Sequence, residues 1–177
     1  MHAQRARFGT TLLCYDGSDA AKHAIAVSAP LLAPARAVLL HVWLPLSTIL
    51  LWNPLIGSSW PLSGPAGEID DACRAAAQRL ADEGTALALE AGFDVEPVIA
   101  ESRHGAWRTV VHVADERDAR TVVVGSHGRS PMSSALLGGV AAGVAHHSAR
   151  PVLVIPAPQR TDAPGDRREH GLGVGVG

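Results

Sequence analysis

Residues 125–140 read GSHGRSPMSSALLGGV, a glycine-rich stretch that directly follows the apolar run TVVV at residues 121–124. The run has the composition of a parallel strand that is buried on both faces. Residues 140–147, after the stretch, predict a helix. Glycine lets main-chain N–H groups approach an anion without a side chain in the way. A strand, a glycine-rich turn and a helix in this order therefore favour a phosphate site.

Two interpretations of this turn stay open on the residues alone. The free N–H groups and the positive end of a helix that begins near Gly138 favour anion binding, with Arg129 as an additional donor. The same glycines are equally compatible with a turn that only packs closely against its neighbours.

Outward from this stretch, apolar strand patterns alternate with helical ones along the chain. This alternation is typical of βαβ units, which place helices on both faces of a parallel sheet. The expected fold class is α/β, a single-domain, Rossmann-like open sheet of five parallel strands in the order 3-2-1-4-5. The predicted strands are 10–15, 37–43, 93–100, 121–124 and 151–155; the predicted helices are 20–32, 66–91, a short one after Gly105, and 140–147.

Composition and charge argue against several classes of function. The 177 residues carry a net charge of −2, which lacks the basic footprint of a nucleic-acid-binding protein. The apolar segment 38–56 contains Pro45 and Pro54, so it predicts a strand and a long loop rather than a membrane span. The first residues lack the apolar core of a signal peptide. We expect a cytoplasmic protein with no nucleic-acid or membrane partner.

In an open parallel sheet, ligands bind beyond the carboxyl ends of the strands, where the strand order reverses. The turns after the first and second predicted strands place Tyr15, Asp16 and Val42 at that edge. Asp16 has a second interpretation, since a carboxylate there could cap the following helix, a role that Ser18 or Asp19 could also fill.

Several enzyme and signalling classes lack their required residues. No lysine follows Gly138 or Gly139, as a P-loop would need, and the Gly-x-Ser-x-Gly motif of many hydrolases is missing. The first strand is followed by DGSD rather than by a dinucleotide fingerprint. The only lysine of the chain, Lys22, lies in the first predicted helix, so a phospho-receiver site would be incomplete.

The spacing Gly-x-x-Gly, nine residues and Gly-Gly, followed by a helix and RPVLVI at 150–155, resembles the C-terminal signature of the universal stress protein family. LLCYDGS at 12–18, LLHV at 39–42 and His104-Gly105 are similar to earlier segments of that family. The resemblance covers about residues 8 to 156, and the glycine spacing is its most specific part.

The family's nucleotide-binding members imply ATP or AMP as the ligand, with Mg²⁺ as an accompanying ion. By position, the resemblance assigns Tyr15 and Asp16 to adenine and ribose, and Val42 to the base. It assigns the remaining contacts to Val124 and Gly125 beside the base and ribose, and to Gly128, Arg129, Gly138, Gly139 and Val140 around the phosphates. One residue departs from the pattern, because Gly139 stands where nucleotide-binding members usually have Ser or Thr.

The expected function is therefore an adenine-nucleotide-binding module of the stress response that is not an enzyme, apart from very slow ATP hydrolysis. Two alternatives stay open: a dimeric interaction or regulatory module of the same fold that binds no nucleotide, and an adenylate-forming enzyme. The resemblance also implies a homodimer that pairs through the last strand, with Val152, Leu153, Val154 and Ile155. We expect an extension at 1–7, the α/β domain at 8–156 with a long variable loop at 44–65, and a disordered tail at 157–177.

Overall fold

The computed structural model of the chain describes residues 9–45, 66–102, 104–128 and 137–158. The expected N-terminal extension, nearly all of the long loop and most of the expected tail lie outside the described residues. Within the described residues the elements follow the predicted order. They are β1 (Thr10–Cys14), α1 (Asp19–Leu32), β2 (Arg36–Trp43), α2 (Ala66–Glu90), β3 (Asp94–Glu101), α3 (Ala106–Glu116), β4 (Ala119–Gly125), α4 (Gly139–His147) and β5 (Val152–Ile155).

All five strands are parallel and lie in the order β3-β2-β1-β4-β5, which confirms the predicted fold class. The chain first builds outward from β1 through β2 to β3, and then returns to place β4 on the other side of β1. The strand order therefore reverses between β1 and β4. Loops that leave the carboxyl ends of these two strands diverge there and open a crevice.

The central strands are apolar on both sides, so both faces of the sheet must be shielded from water. Helices cover both faces. Leu13, Leu39 and Val123 point to the face covered by α1 and α2. Leu12 and Leu40 point to the opposite face, covered by α3 and α4. Of the described helices, none has the length and apolar character needed to cross a membrane.

Helix α1 shows how local sequence fixes an element. Ser18 is its N-cap, and its hydroxyl accepts a hydrogen bond from Ala21 N at 3.2 Å. Asp19 lies in the first turn, where a carboxylate interacts favourably with the helix dipole. The predicted helix 20–32 is confirmed, since α1 ends at Leu32 and contains Pro30 in its last turn. Proline at this late position removes one N–H near the end of the helix but does not stop its last turn.

Two glycines allow close packing of helices, one on each face of the sheet. A Cβ on Gly84 of α2 would lie 2.7 Å from Tyr15 Cδ1 and 2.9 Å from Leu39 Cδ2. A Cβ on Gly143 of α4 would overlap the Trp107 side chain of α3. Helix α2 can therefore rest directly on the sheet at Gly84, and α3 and α4 pack together beside the crevice.

Candidate functional site

A cavity of about 380 Å³ lies at the carboxyl ends of β1, β2 and β4, between them and the N-terminal ends of α3 and α4. This volume is in the range of small-molecule sites in proteins. Nine of the ten residues predicted from the sequence line it, namely Tyr15, Asp16, Val42, Val124, Gly125, Gly128, Gly138, Gly139 and Val140. The tenth, Arg129, lies outside the described residues.

Most of the cavity wall is apolar. Leu40, Val42 and Val124 contribute from the strands, and Ala106 and Val110 from α3. Of these, Leu40, Val42, Val110 and Val124 belong to the core between the sheet and helices α3 and α4. A wall of aliphatic groups with few polar ones suits a flat ring system, which loses little hydrogen bonding when it leaves water.

Asp16 is the one acidic side chain among the described residues that line the cavity. Its Oδ1 accepts a hydrogen bond from Ser18 N at 3.0 Å, which braces the turn after β1. The helix cap is Ser18 and not Asp16. A Cβ placed on Gly128 would lie 2.7 Å from Asp16 Oδ2, so this second oxygen faces the glycine-rich turn.

Tyr15 borders the cavity with its main chain only. Its side chain is 2% exposed and packs in the core under α2, on the opposite face of the sheet from Val42. Burial, and next the nearby Glu83 carboxylate, raise the pKa of the Tyr15 phenol. The Tyr15 carbonyl accepts a hydrogen bond from His41 Nδ1 at 2.8 Å. The buried Tyr15 ring therefore anchors the turn after β1. Tyr15 can contact a ligand only through its peptide group.

The first residues of α4, Gly139, Val140 and Ala141, line the cavity directly after the glycine-rich turn. Gly138 N donates to Ser126 O at 2.7 Å and joins the two described ends of the turn. Gly138 is also the N-cap of α4 and supplies no side-chain cap. Helix geometry leaves the N–H groups of Gly139, Val140 and Ala141 without intrahelical partners. An uncapped, positive helix end thus opens on the cavity wall.

Seven residues of the wall were not expected from the sequence to contact a ligand: Cys14, Ala21, Leu40, Ala106, Val110, Ser126 and Ala141. For His127, which also lines the cavity, a phosphate contact and a solvent-facing loop position were both open on the sequence. Leu40 could have been found from strand periodicity, because it lies two residues before Val42 on the same face. Ala106 and Val110 are four residues apart on one helix face, but only packing brings that face to the sheet. Burial, with the Asp16 carboxylate second, raises the pKa of Cys14 to about 12, so the thiol is neutral.

Metal binding by side chains finds no support in the part of the chain that the structure describes. No group of three or more His, Cys, Asp or Glu side chains within those residues could hold a metal ion. Asp16 therefore lines the cavity as a single carboxylate, together with the uncapped start of α4.

Solved structures with the same fold are numerous. The protein MJ0577 superposes with a TM-score of 0.69 at 21% identity, over 86% of this chain and 98% of that one. A universal stress protein in complex with cAMP gives a TM-score of 0.59 at 24% identity, over 85% and 98%. A family member from Arabidopsis thaliana with AMP bound gives 0.56 at 15% identity, over 85% and 92%. At these identities the likeness shows the fold.

The family itself is shown by sequence. None of the curated proteins compared with the chain matches it. The model of the universal stress protein family matches residues 7–156, which include all the described strands and helices and the whole wall of the cavity. The resemblance found in the glycine spacing is therefore confirmed over most of the chain, and this chain belongs to the universal stress protein family.

Proposed function

We propose that this chain binds an adenine nucleotide, ATP or AMP, in the cavity at the carboxyl ends of β1, β2 and β4, and acts in the stress response. The observation that carries the proposal is the meeting of an apolar slot and an uncapped helix N-terminus within one cavity of about 380 Å³. The apolar slot suits a purine ring, and the helix N-terminus suits a phosphate. Structural neighbours in complex with cAMP, dAMP and AMP add support.

The lining residues fit the parts of such a ligand. Val42, Val124 and Val110 would enclose the adenine ring. Asp16 Oδ2 would accept a hydrogen bond from a ribose hydroxyl, because a carboxylate suits a donor and repels a phosphate. The N–H groups at the start of α4 would bind the phosphate oxygens. If ATP is the ligand, Mg²⁺ would be held mainly by its phosphates and by water, as this ion prefers.

The proposed role is binding rather than catalysis. Asp16 would lie at the ribose end of the nucleotide, too far along the ligand to activate water at a terminal phosphate. We accordingly propose a cytoplasmic binding module in which any ATP hydrolysis is very slow.

The proposal is tested by calorimetric titration of the purified full chain with ATP, AMP and GTP, in the presence and absence of Mg²⁺. We expect ATP or AMP to bind with a micromolar dissociation constant, about −8 kcal/mol. Absence of binding at millimolar adenine nucleotide would reject the proposed function and favour an interaction module of the same fold. Gly139, which stands where nucleotide-binding members usually have Ser or Thr, is the residue that keeps this alternative open.

Gly139→Ser should strengthen binding. A Cβ at this position meets no heavy atom within 4 Å, so a serine side chain fits without displacing a neighbour. Its hydroxyl would donate a charge-assisted hydrogen bond to a phosphate oxygen, worth about 1.5–3 kcal/mol. We expect the AMP or ATP dissociation constant to fall about tenfold or more, measured by the same titration. Gly139→Ala adds the Cβ without the hydroxyl and is the matched control; an equal effect of both variants would contradict the proposed contact.

We also propose that the protein is a homodimer paired through β5. In the described sheet β5 is an outermost strand, and an unprotected edge invites pairing with another chain. Pro151 O accepts from Val122 N, and Ile155 O accepts from Ser126 N. Because peptide groups alternate along a parallel strand, Val152 and Val154 direct theirs to the open side.

Val154→Pro is expected to convert the dimer into a monomer. Proline removes an outward N–H and leaves the ladder to β4 intact, since edge strands tolerate proline. Light scattering coupled to size exclusion would report the mass, and the thermal melt of the variant would verify its fold. A wild-type protein that elutes as a monomer, or a folded variant that stays dimeric, would contradict pairing through this edge.

A further inference from the structure

The hydrogen bonding between β1 and β2 changes where the two strands reach the cavity. Their paired register ends at Cys14 and Leu40, and Tyr15 N donates to Leu40 O at 2.9 Å just beyond it. In a parallel ladder the next bond would join Val42 N to Tyr15 O. Tyr15 O accepts instead from the imidazole of His41, whose Nδ1 lies 2.8 Å away. A side chain therefore takes the place of the last main-chain donor between the two strands.

The position of His41 in β2 suits it to this role. Side chains alternate along a strand, so His41 shares the α2 face of the sheet with Leu39, whereas Val42 packs on the face of α3 and α4. His41 is buried, with 3% of its surface exposed. Because a carbonyl oxygen can only accept, Nδ1 carries the proton and donates it to Tyr15 O. His41 thus holds the turn after β1 from the face of the sheet that is opposite to Val42.

This substitution of donors leaves the Val42 N–H directed at the cavity. Leu40 O faces β1, and the main-chain groups of residues two apart in a strand point to the same side, so the Val42 N–H points past the end of β1. Val42 lines the cavity at this place. The imidazole satisfies the Tyr15 carbonyl, which would otherwise need the Val42 N–H as its donor.

We infer that His41 is a positioning residue of the nucleotide site: by donating to the Tyr15 carbonyl, it keeps the Val42 N–H out of the ladder between β1 and β2 and available to the ligand. The inference rests on the proposed function. Without the imidazole, the Tyr15 carbonyl would take the Val42 N–H, because an unsatisfied carbonyl is unfavourable. The strands would then pair over one more residue, and the space between Asp16 and Val42 would narrow.

The experiment compares wild type, His41→Asn and His41→Leu in titrations with AMP and with adenosine. The Asn side chain places an N–H close to the position of Nδ1, whereas Leu is apolar and has no donor. His41→Leu should weaken the binding of both ligands equally, about 10-fold or more, because the effect lies at the nucleoside end of the site. His41→Asn should recover most of this affinity. Thermal melts without ligand establish that both variants are folded.

Hydrogen exchange of the Val42 amide tests the inference without relying on affinity. In ligand-free wild type this amide should exchange faster than that of Leu40, which lies inside the ladder, and AMP should slow its exchange. In His41→Leu the Val42 amide should become protected, because the ladder extends over it. A residue with a merely structural role would have the opposite effect, since its loss would loosen the strands and speed the exchange.

Three outcomes would overturn the inference. Folded His41→Leu could bind both ligands as wild type does, or the Asn and Leu variants could lose affinity equally. The third outcome, a Val42 amide as protected as that of Leu40 in ligand-free wild type, needs no folded variant. In each of these cases wild type still binds AMP, so the proposed function survives. If wild type binds neither ligand, the proposed function fails and takes this inference with it.

Discussion

Gly128→Val is expected to abolish nucleotide binding, with a loss of at least about 100-fold in affinity for AMP or ATP. A Cβ on Gly128 would lie 2.7 Å from Asp16 Oδ2, closer than van der Waals contact permits. The valine methyl groups would fill the space between the carboxylate and the glycine-rich turn, where ribose and phosphate are proposed to bind. A 100-fold loss corresponds to about 2.7 kcal/mol, the scale of one or two charge-assisted hydrogen bonds. Calorimetric titration measures the effect directly.

The variant should remain folded, which makes the result interpretable. Gly128 is exposed and is not among the described glycines with positive φ, so valine there need not strain the backbone. Ala86→Val, on the exposed face of α2, is the control and should bind as wild type does. Unchanged affinity of folded Gly128→Val would mean that the nucleotide, if it binds, lies elsewhere.

Gly84→Val is expected to lower the free energy of unfolding by about 3 kcal/mol, and Tm by about 6–12 °C. The added Cβ would lie 2.7–2.9 Å from atoms of Tyr15 and Leu39, both of which are buried in the core. Valine has a higher helix propensity than glycine, but by only about half a kcal/mol, so overpacking dominates. Urea unfolding followed by circular dichroism provides the measurement.

Ala86→Val is the matched control for this change as well, since it places valine two residues further along the same helix at an exposed position. Its cost should stay below about 1 kcal/mol, the difference in helix propensity. If the two variants unfolded alike, the close approach of α2 to the sheet at Gly84 would be refuted.

Much of the site could be predicted before the fold was known. Strand ends and a glycine-rich turn are local patterns, and the topology of parallel sheets brings strand ends to one edge. Asp16, Val42 and Gly128 were identified on that basis, and they line one cavity. The direction of the Tyr15 ring could not be predicted in this way. Because β1 is apolar on both faces, its pattern does not indicate which face a residue occupies.

Contacts between residues far apart in the chain could not be predicted from the sequence either. The hydrogen bond from Ala157 N to Ser126 Oγ joins residues 31 apart and ties the turn after β4 to the chain after β5. Gly84 lowers the helix propensity of α2, and only its contact with Tyr15 explains why a glycine is favourable there.

By itself, the sequence determined the order and type of the elements, the fold class and the glycine-rich turn, because periodicity, capping and turn chemistry depend on residues a few positions apart. The tertiary structure decided which side chains enter the cavity, which glycines are required for close packing, and which donor binds the Tyr15 carbonyl. These properties depend on strand register and on how closely helices approach the sheet, and both are set by packing between segments far apart in the chain.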